Sequence, residues 1–242
     1  MLKSFFHGLA GLIYPPNCLL CRSRLGQEEQ ENLLCPLCAD SIKPNRPPFC
    51  GKCSRPLRED FEQNFCRDCR QTEYDFNRAW AATLYNDTMK TLIHFFKYEN
   101  KTSLRKTFSK LISVFLNDHA FELARFDYLV PVPLHRARLR ERGYNQSELI
   151  LEPLRGTLGV PLASGKLLRK RYTPNQALLG KKERWTNIRG AFTINDSLFF
   201  KEKSVLLFDD LFTTGATVSE AARTLKNAGA KEVSVLTLAI TA

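Results

Sequence analysis

Apolar and polar positions divide the chain into a polar, cysteine-bearing first third and a longer part in which short apolar runs alternate with amphipathic stretches. Val205 to Phe208 is a continuous apolar run with the length and branching of a buried strand. Tyr128 to Val132 reads the same way, closed by Pro131 and Pro133. Ala79 to Tyr85, Leu162 to Leu168 and Val233 to Ile240 are further expected strands. Met89 to Lys97 and Leu104 to Leu116 carry helical apolar spacing, with Asn86-Asp87 as a turn signal. A helix is expected from near Asn145 to about Arg155, and the SEAARTLKNAGA stretch is another. From about residue 125 the order is strand, helix, strand, long loop, strand, helix, strand. That alternation predicts an α/β fold with a parallel sheet flanked by helices.

The N-terminal stretch has its own pattern. Leu2, Phe5, Phe6, Leu9, Leu12 and Ile13 fall on one helical face, and His7 interrupts what would be a signal-peptide core. A short amphipathic helix packing on the protein is expected. Its polar face lacks the basic residues of a membrane-surface helix. No run is long enough to span a bilayer, so a cytoplasmic location is expected.

All eight cysteines precede residue 75, in four pairs of one spacing: Cys18/Cys21, Cys35/Cys38, Cys50/Cys53 and Cys66/Cys69. A two-residue gap lets both thiolates of a tight turn face one ion, and two such turns close a tetrahedral Zn²⁺ site. Four thiolates leave no open coordination position, so two structural zinc ions are expected. Sequential sites would be Cys18/21/35/38 and Cys50/53/66/69; a cross-braced arrangement would interleave them. Sequential closure is favoured because it closes the shorter loops. A disulfide framework is the competing reading, disfavoured without a credible signal peptide. The chain therefore divides into residues 1–75, a helix and two zinc ribbons, and residues 76–242, the sheet domain. On this division chelation should unfold the first part and spare the second.

Charge narrows the chemistry. Lys and Arg total 36 against 25 Asp and Glu, a formal charge of +11, which favours anionic partners: phosphate esters, nucleic acid or an acidic surface. Asp209 and Asp210 follow the apolar run, where two like charges at the end of a central strand need a compensating ligand. Two carboxylates suit the vicinal hydroxyls of a sugar. Thr213, Thr214, Gly215, Ala216 and Thr217 offer backbone N–H groups, hydroxyls and a helix N-terminus for a phosphate. Together they describe a ribose 5-phosphate site; the competing reading is a helix cap, which would need only one Asp. Arg136, Arg138, Arg140 and Arg142 alternate after a strand and before Asn145 and Gln146, forming a basic loop where α/β sheets place phosphate groups or DNA could lie, or a solvated surface turn. The basic stretch from Lys166 to Phe192 is too long for an ordinary connection and reads as a lid, with Gln176, Arg184, Asn187 and Arg189 as candidate contacts. Trp185 is expected to anchor it, and His94 is read as a partly buried packing residue without a catalytic role.

VLLFDDLFTTGAT resembles the PRPP-binding motif of type I phosphoribosyltransferases. With VPVPLHRARLRERGYNQ, LLRKRYTPNQALLGKKERWTNIRGAF and the four cysteine pairs, the whole chain resembles the ComF family. The resemblance implies a double zinc ribbon on a type I phosphoribosyltransferase-like sheet, and a link to natural competence and DNA uptake. By carry-over Asp209 and Asp210 would hold the ribose hydroxyls and Thr213 through Thr217 the 5-phosphate. Arg138 to Gln146 would occupy the place of the pyrophosphate loop. Phe208 stands where valine is usual. The implied partners are PRPP with Mg²⁺ or a related ribose 5-phosphate, single-stranded DNA, and other DNA-uptake proteins. Three functions follow: a DNA-uptake factor whose PRPP-type site binds ligand or DNA ends; an active phosphoribosyltransferase on an unidentified acceptor in nucleotide metabolism; and a zinc-ribbon scaffold with a vestigial pocket, against which the intact acidic pair and TTGAT count. No residue set names an acceptor or a catalytic base.

Overall fold

The computed structural model describes residues 17–27, 29–58, 64–173 and 180–242. The expected helix over residues 2–13 and Gln176 lie outside the described residues. In chain order the elements are α1 (Pro36–Asp40), α2 (Arg67–Gln71), β1 (Ala79–Leu84), α3 (Asp87–Tyr98), α4 (Leu104–Asp118), β2 (Tyr128–Pro131), α5 (Arg136–Arg142), α6 (Gln146–Leu151), β3 (Leu167–Arg169), α7 (Lys181–Ile188), β4 (Phe192–Ile194), β5 (Ser204–Phe212), α8 (Ala216–Asn227) and β6 (Glu232–Ile240). β1, β6, β5 and β2 form a four-stranded sheet in that order, parallel throughout. The expected architecture of a parallel sheet flanked by helices is therefore present.

The strands are apolar on both faces because helices cover both. Period-two alternation sends their side chains into two cores. Ala79, Ala81, Val205, Leu207, Val233 and Val235 pack with Val218, Ala221, Ala222 and Leu225 of α8. Trp80, Leu206, Phe208, Leu236 and Leu238 pack with Met89, Leu92, Ile93 and Phe96 of α3 and with Phe108 and Ile112 of α4. Each buried Val, Leu, Ile, Met or Phe among them contributes about 1.5–3 kcal/mol by leaving water.

Each ribbon is built into one of these cores. Cys18, Leu25, Leu34 and Cys35 join the α3/α4 side, and Cys50, Cys53 and Cys66 join the α8 side. The intervening chain covers the open edge of β1: Leu84 N–H donates to Lys43 O at 2.9 Å and Ala79 N–H to Lys52 O at 2.8 Å. Buried Asn45 donates its amide to Ser54 O and Ala81 O at 2.8 and 3.2 Å. An exposed edge strand is thereby paired.

Two sequence expectations are corrected here. Leu162 to Leu168 is not a strand of the main sheet: only Leu162 bridges to Leu129, and Leu167–Arg169 turns away to pair antiparallel with β4. The apolar pattern marked burial correctly, but under a hairpin rather than within the sheet. The arginine-rich segment is not a loop but the helix α5. The His135 ring accepts from Ala137 N–H to start it, and Gly143, at φ 83°, ends it.

Candidate functional site

β5 does not stop at the acidic pair; it carries Asp209 and Asp210 within the strand and continues to Phe212. Its neighbour β2 ends at Pro131, opposite Phe208, because proline cannot extend the ladder. Past that point one side of β5 is open, and a cavity of about 770 Å³ lies over the carboxyl end of the sheet. The cavity is lined by Asp209, Asp210, Thr213, Thr214 and Thr217, by Arg138, Arg142 and Gln146, and by Arg184 of the expected lid. The structure thus brings the acidic pair, the threonine turn and part of the basic segment together.

It does not bring every candidate there. Arg136 and Asn145 line a second cavity, of about 460 Å³, behind β2. The Asn145 side chain caps α6, accepting from Ser147 N–H at 3.2 Å and donating to Val132 O. Asn187 and Arg189 present their backbone carbonyls to Arg171, at 2.8 and 2.6 Å. Trp185 anchors α7 against Tyr74, ring centroids 5.7 Å apart. His94 is not partly buried as expected: it is exposed, lines the cavity and pairs with Glu99 at 3.5 Å.

Sequence reasoning passed over three residues of the cavity wall. Lys97 lies in the last turn of α3, one residue beyond buried Phe96, so the packed face of that helix delivers it over the sheet end. Its ammonium ion-pairs with Asp210. Arg169, on β3, bonds Thr173 Oγ1, and its buried Nε has no hydrogen-bond partner among the described residues. Arg55, from the second ribbon, donates to Thr213 O at 2.7 Å and Thr241 O at 3.1 Å while paired with Asp68. No pattern along the chain singles these three out from the other basic residues.

The threonine turn is held from below by the ribbon. Gly215, at φ 76°, leads into α8, and a Cβ there would lie 2.6 Å from Phe212 Cζ and 2.7 Å from Tyr74 Cε1. Only glycine allows both the left-handed backbone and this approach. The Tyr74 hydroxyl donates to Thr214 O at 3.2 Å.

The carboxylates are 8% and 3% exposed. Asp209 Oδ1 accepts from Ser147 Oγ at 3.1 Å and from Asp210 N–H at 2.9 Å. Asp210 Oδ1 accepts from Gln146 at 3.4 Å, a long bond, and Gln146 is in turn held by Arg142 at 2.6 Å. Burial, and then the charge of Asp210, push the Asp209 carboxyl up to about 7. For Asp210 burial acts in the same direction, but the Lys97 charge outweighs it and holds the carboxyl below its ordinary value. Between the ordinary value of 3.8 and about 7, folded Asp209 keeps a proton that the unfolded chain has released. The Asp209 contribution to stability therefore falls as pH rises through that window. Denaturant midpoints measured from about pH 5 to about pH 8 should show this fall, and Asp209→Asn should remove the Asp209 share of the slope.

The cysteines form two clusters, Cys18/21/35/38 and Cys50/53/66/69, with ligand atoms within 4.8 Å of one another. This is the sequential arrangement. The Cys21–Cys35 and Cys53–Cys66 sulfur separations are 3.6 and 3.7 Å. A tetrahedron with Zn–S bonds of about 2.3 Å has edges of about 3.8 Å, so zinc fits both clusters. A divalent ion fits the carboxylate pair poorly, because Lys97 already stands there.

Residues 9–70 match the family model described as the double zinc ribbon domain. The chain is 30% identical over 225 residues to Competence protein F of Haemophilus influenzae, covering 92% of this chain and 96% of that one. It is 29% identical over 226 residues to the DNA utilization protein YhgH of Salmonella typhimurium, covering 93% and 96%. A solved purine phosphoribosyltransferase from Pyrococcus horikoshii matches 56% of this chain and 73% of its own at 20% identity, with a TM-score of 0.33.

Proposed function

Since the chain belongs to the competence protein F family, we propose that it acts in DNA uptake during natural transformation through a cavity that binds PRPP or a related ribose 5-phosphate, with single-stranded DNA against the basic wall of that cavity. One observation carries this reading. Buried hydroxyl acceptors, an anion-binding turn and the guanidinium groups of Arg138 and Arg142 converge on a single cavity from β5, α8 and α5. The ribose hydroxyls donate to Asp209 and Asp210. The 5-phosphate takes the N–H groups of the Thr213 to Thr217 turn, where the dipole of α8 favours an anion. Mg²⁺ travels on the pyrophosphate oxygens of PRPP, which it binds readily, rather than on protein carboxylates. Zinc in the two ribbons holds the wall beneath the turn. Eight cysteines without disulfides suit a reducing, cytoplasmic setting.

Arg169 and Arg184 on the same wall favour a second reading, an active phosphoribosyltransferase. In that reaction an acceptor atom bonds to ribose C1 as the C1–O bond to pyrophosphate breaks. The arginines carry the growing negative charge of the leaving group. Calorimetry of PRPP with Mg²⁺, repeated with a single-stranded oligonucleotide, tests both. Saturable one-to-one PRPP binding is expected, with DNA affinity that falls steeply as salt rises through counterion release. Absence of PRPP binding would remove the ribose-phosphate reading, and salt-independent DNA affinity would remove the basic wall. Pyrophosphate release with an added acceptor would decide for the enzyme.

A further inference from the structure

The acidic pair is not an open metal site. We infer that Lys97 is the built-in counter-cation of the site: its ammonium stands where a divalent ion would have to neutralise the carboxylates, so that the sugar-phosphate ligand is held there without metal. This rests on the reading of the cavity as a ribose 5-phosphate site.

Geometry carries the inference. Lys97 reaches Asp210 from the last turn of α3, and its side chain is 17% exposed. Ser147 and the Asp210 N–H occupy Asp209 Oδ1, Gln146 occupies Asp210 Oδ1, and Lys97 occupies Asp210 Oδ2. Two of the four carboxylate oxygens thus already accept hydrogen bonds, and a third lies against the Lys97 ammonium as an ion pair. Magnesium asks for several free oxygens in a near-octahedral shell and gives up its waters reluctantly. The charge count points the same way. Arg142 acts electrostatically on Asp210 and Lys97, and Arg169 on Asp209. Three cations therefore face two carboxylates, and a further dication would enter a field that is already positive. A ribose diol has no such difficulty: its hydroxyls are neutral and donate to the lone pairs that remain.

The position of Lys97 also explains how two adjacent carboxylates are tolerated at the buried end of a central strand. The cost that sequence reasoning assigned to an external ligand is offset from inside the chain. A ligand then displaces no metal and needs none to complete the site.

The test uses the full-length zinc-loaded protein, with ribose 5-phosphate as probe so that no pyrophosphate brings its own Mg²⁺. Wild-type affinity is expected to be the same, within about twofold, in Mg²⁺ and in a Mg²⁺-selective chelation buffer. Lys97→Met is expected to lose about tenfold or more without Mg²⁺ and to recover with it, whereas Lys97→Arg keeps the charge and stays metal-independent. Direct Mg²⁺ titration without ligand gives an independent reading: no site in the wild type, one in Lys97→Met. A wild-type affinity that collapses without Mg²⁺, a wild-type Mg²⁺ site at the pair, or a Lys97→Met protein indifferent to metal in both measurements would overturn the assignment. If ribose 5-phosphate binds under no condition while the two Mg²⁺ titrations differ as expected, the ribose-phosphate reading fails and the role of Lys97 as counter-cation stands.

Discussion

Asp210→Asn is expected to lose about 3 kcal/mol of stability in denaturant unfolding near neutral pH, while Asp209→Asn loses little or none. Removing one partner of a buried ion pair leaves the other charge uncompensated, which costs roughly 3–5 kcal/mol. Lys97 would be left in that state, pointing into a wall that also holds Arg142. Asp209 has no ion-pair partner among the described residues, and its ionised form is already disfavoured by burial. The amide introduced by Asp209→Asn would keep an oxygen to accept from Ser147 and from the Asp210 N–H, without the charge. Lys97→Met in the Asp210→Asn background should restore part of the loss, because the stranded ammonium is gone. Both single variants should still lose ligand. Each removes a charge-assisted acceptor worth about 1.5–3 kcal/mol, or roughly ten- to a hundredfold in affinity. Equal unfolding midpoints for the two variants would show that the pair with Lys97 does not hold the fold. Unchanged ribose 5-phosphate affinity in both would remove the acidic pair from the site.

Stripping zinc from the second ribbon is expected to abolish ribose-phosphate binding and to lower the stability of the sheet as well as of the ribbon. Structural zinc commits on the order of 10 kcal/mol to the fold of a small ribbon. Here Cys50, Cys53 and Cys66 belong to the same core as Val205, Leu207 and α8, so their release opens that core. The separable unfolding that the cysteine-rich composition suggests does not follow from this packing. The phosphate turn is exposed to the same loss, because Arg55 holds Thr213 O and Thr241 O, and Tyr74 holds Thr214 O. Arg55→Ala isolates the contact from the metal. Zinc content should stay at two ions, while affinity for ribose 5-phosphate falls about tenfold as the turn loses its charged hydrogen bond at Thr213 O. Chelator-treated protein that unfolds at its original denaturant midpoint would show the ribbon to be separable. Full affinity in Arg55→Ala would show that the turn needs no support from it.

Local features were legible in the chain because their physics is local. Period-two and period-3.6 patterns placed β1, β2, β5, β6, α3 and α4, since each strand or helix must face a core at its own repeat. The cysteine pairs announced two four-thiolate clusters, since a two-residue gap is all that a chelating turn requires. The acidic pair and TTGAT marked a candidate site at the end of β5, since two adjacent carboxylates cost stability without a ligand or a partner. Where the pattern was ambiguous, the reading failed for a physical reason. Leu162 to Leu168 is apolar because it is buried, and burial under a hairpin looks the same as burial within a sheet. The arginines of α5 looked like a loop because alternating charge hides helical spacing.

The composition of the site was decided only by the tertiary structure. Arg55, Lys97 and Arg169 come from a ribbon, from the end of α3 and from a hairpin strand, and they meet Asp209, Asp210 and Thr213 at the carboxyl end of the sheet. No spacing along the chain relates them. Each is one of 36 basic residues, set apart from the others by where its backbone is carried. The sequence alone therefore determined that two carboxylates lie at the mouth of a parallel sheet. The packing of α3 determined that a lysine meets them there, because the helix face that buries Phe96 leaves the next residue over the sheet end.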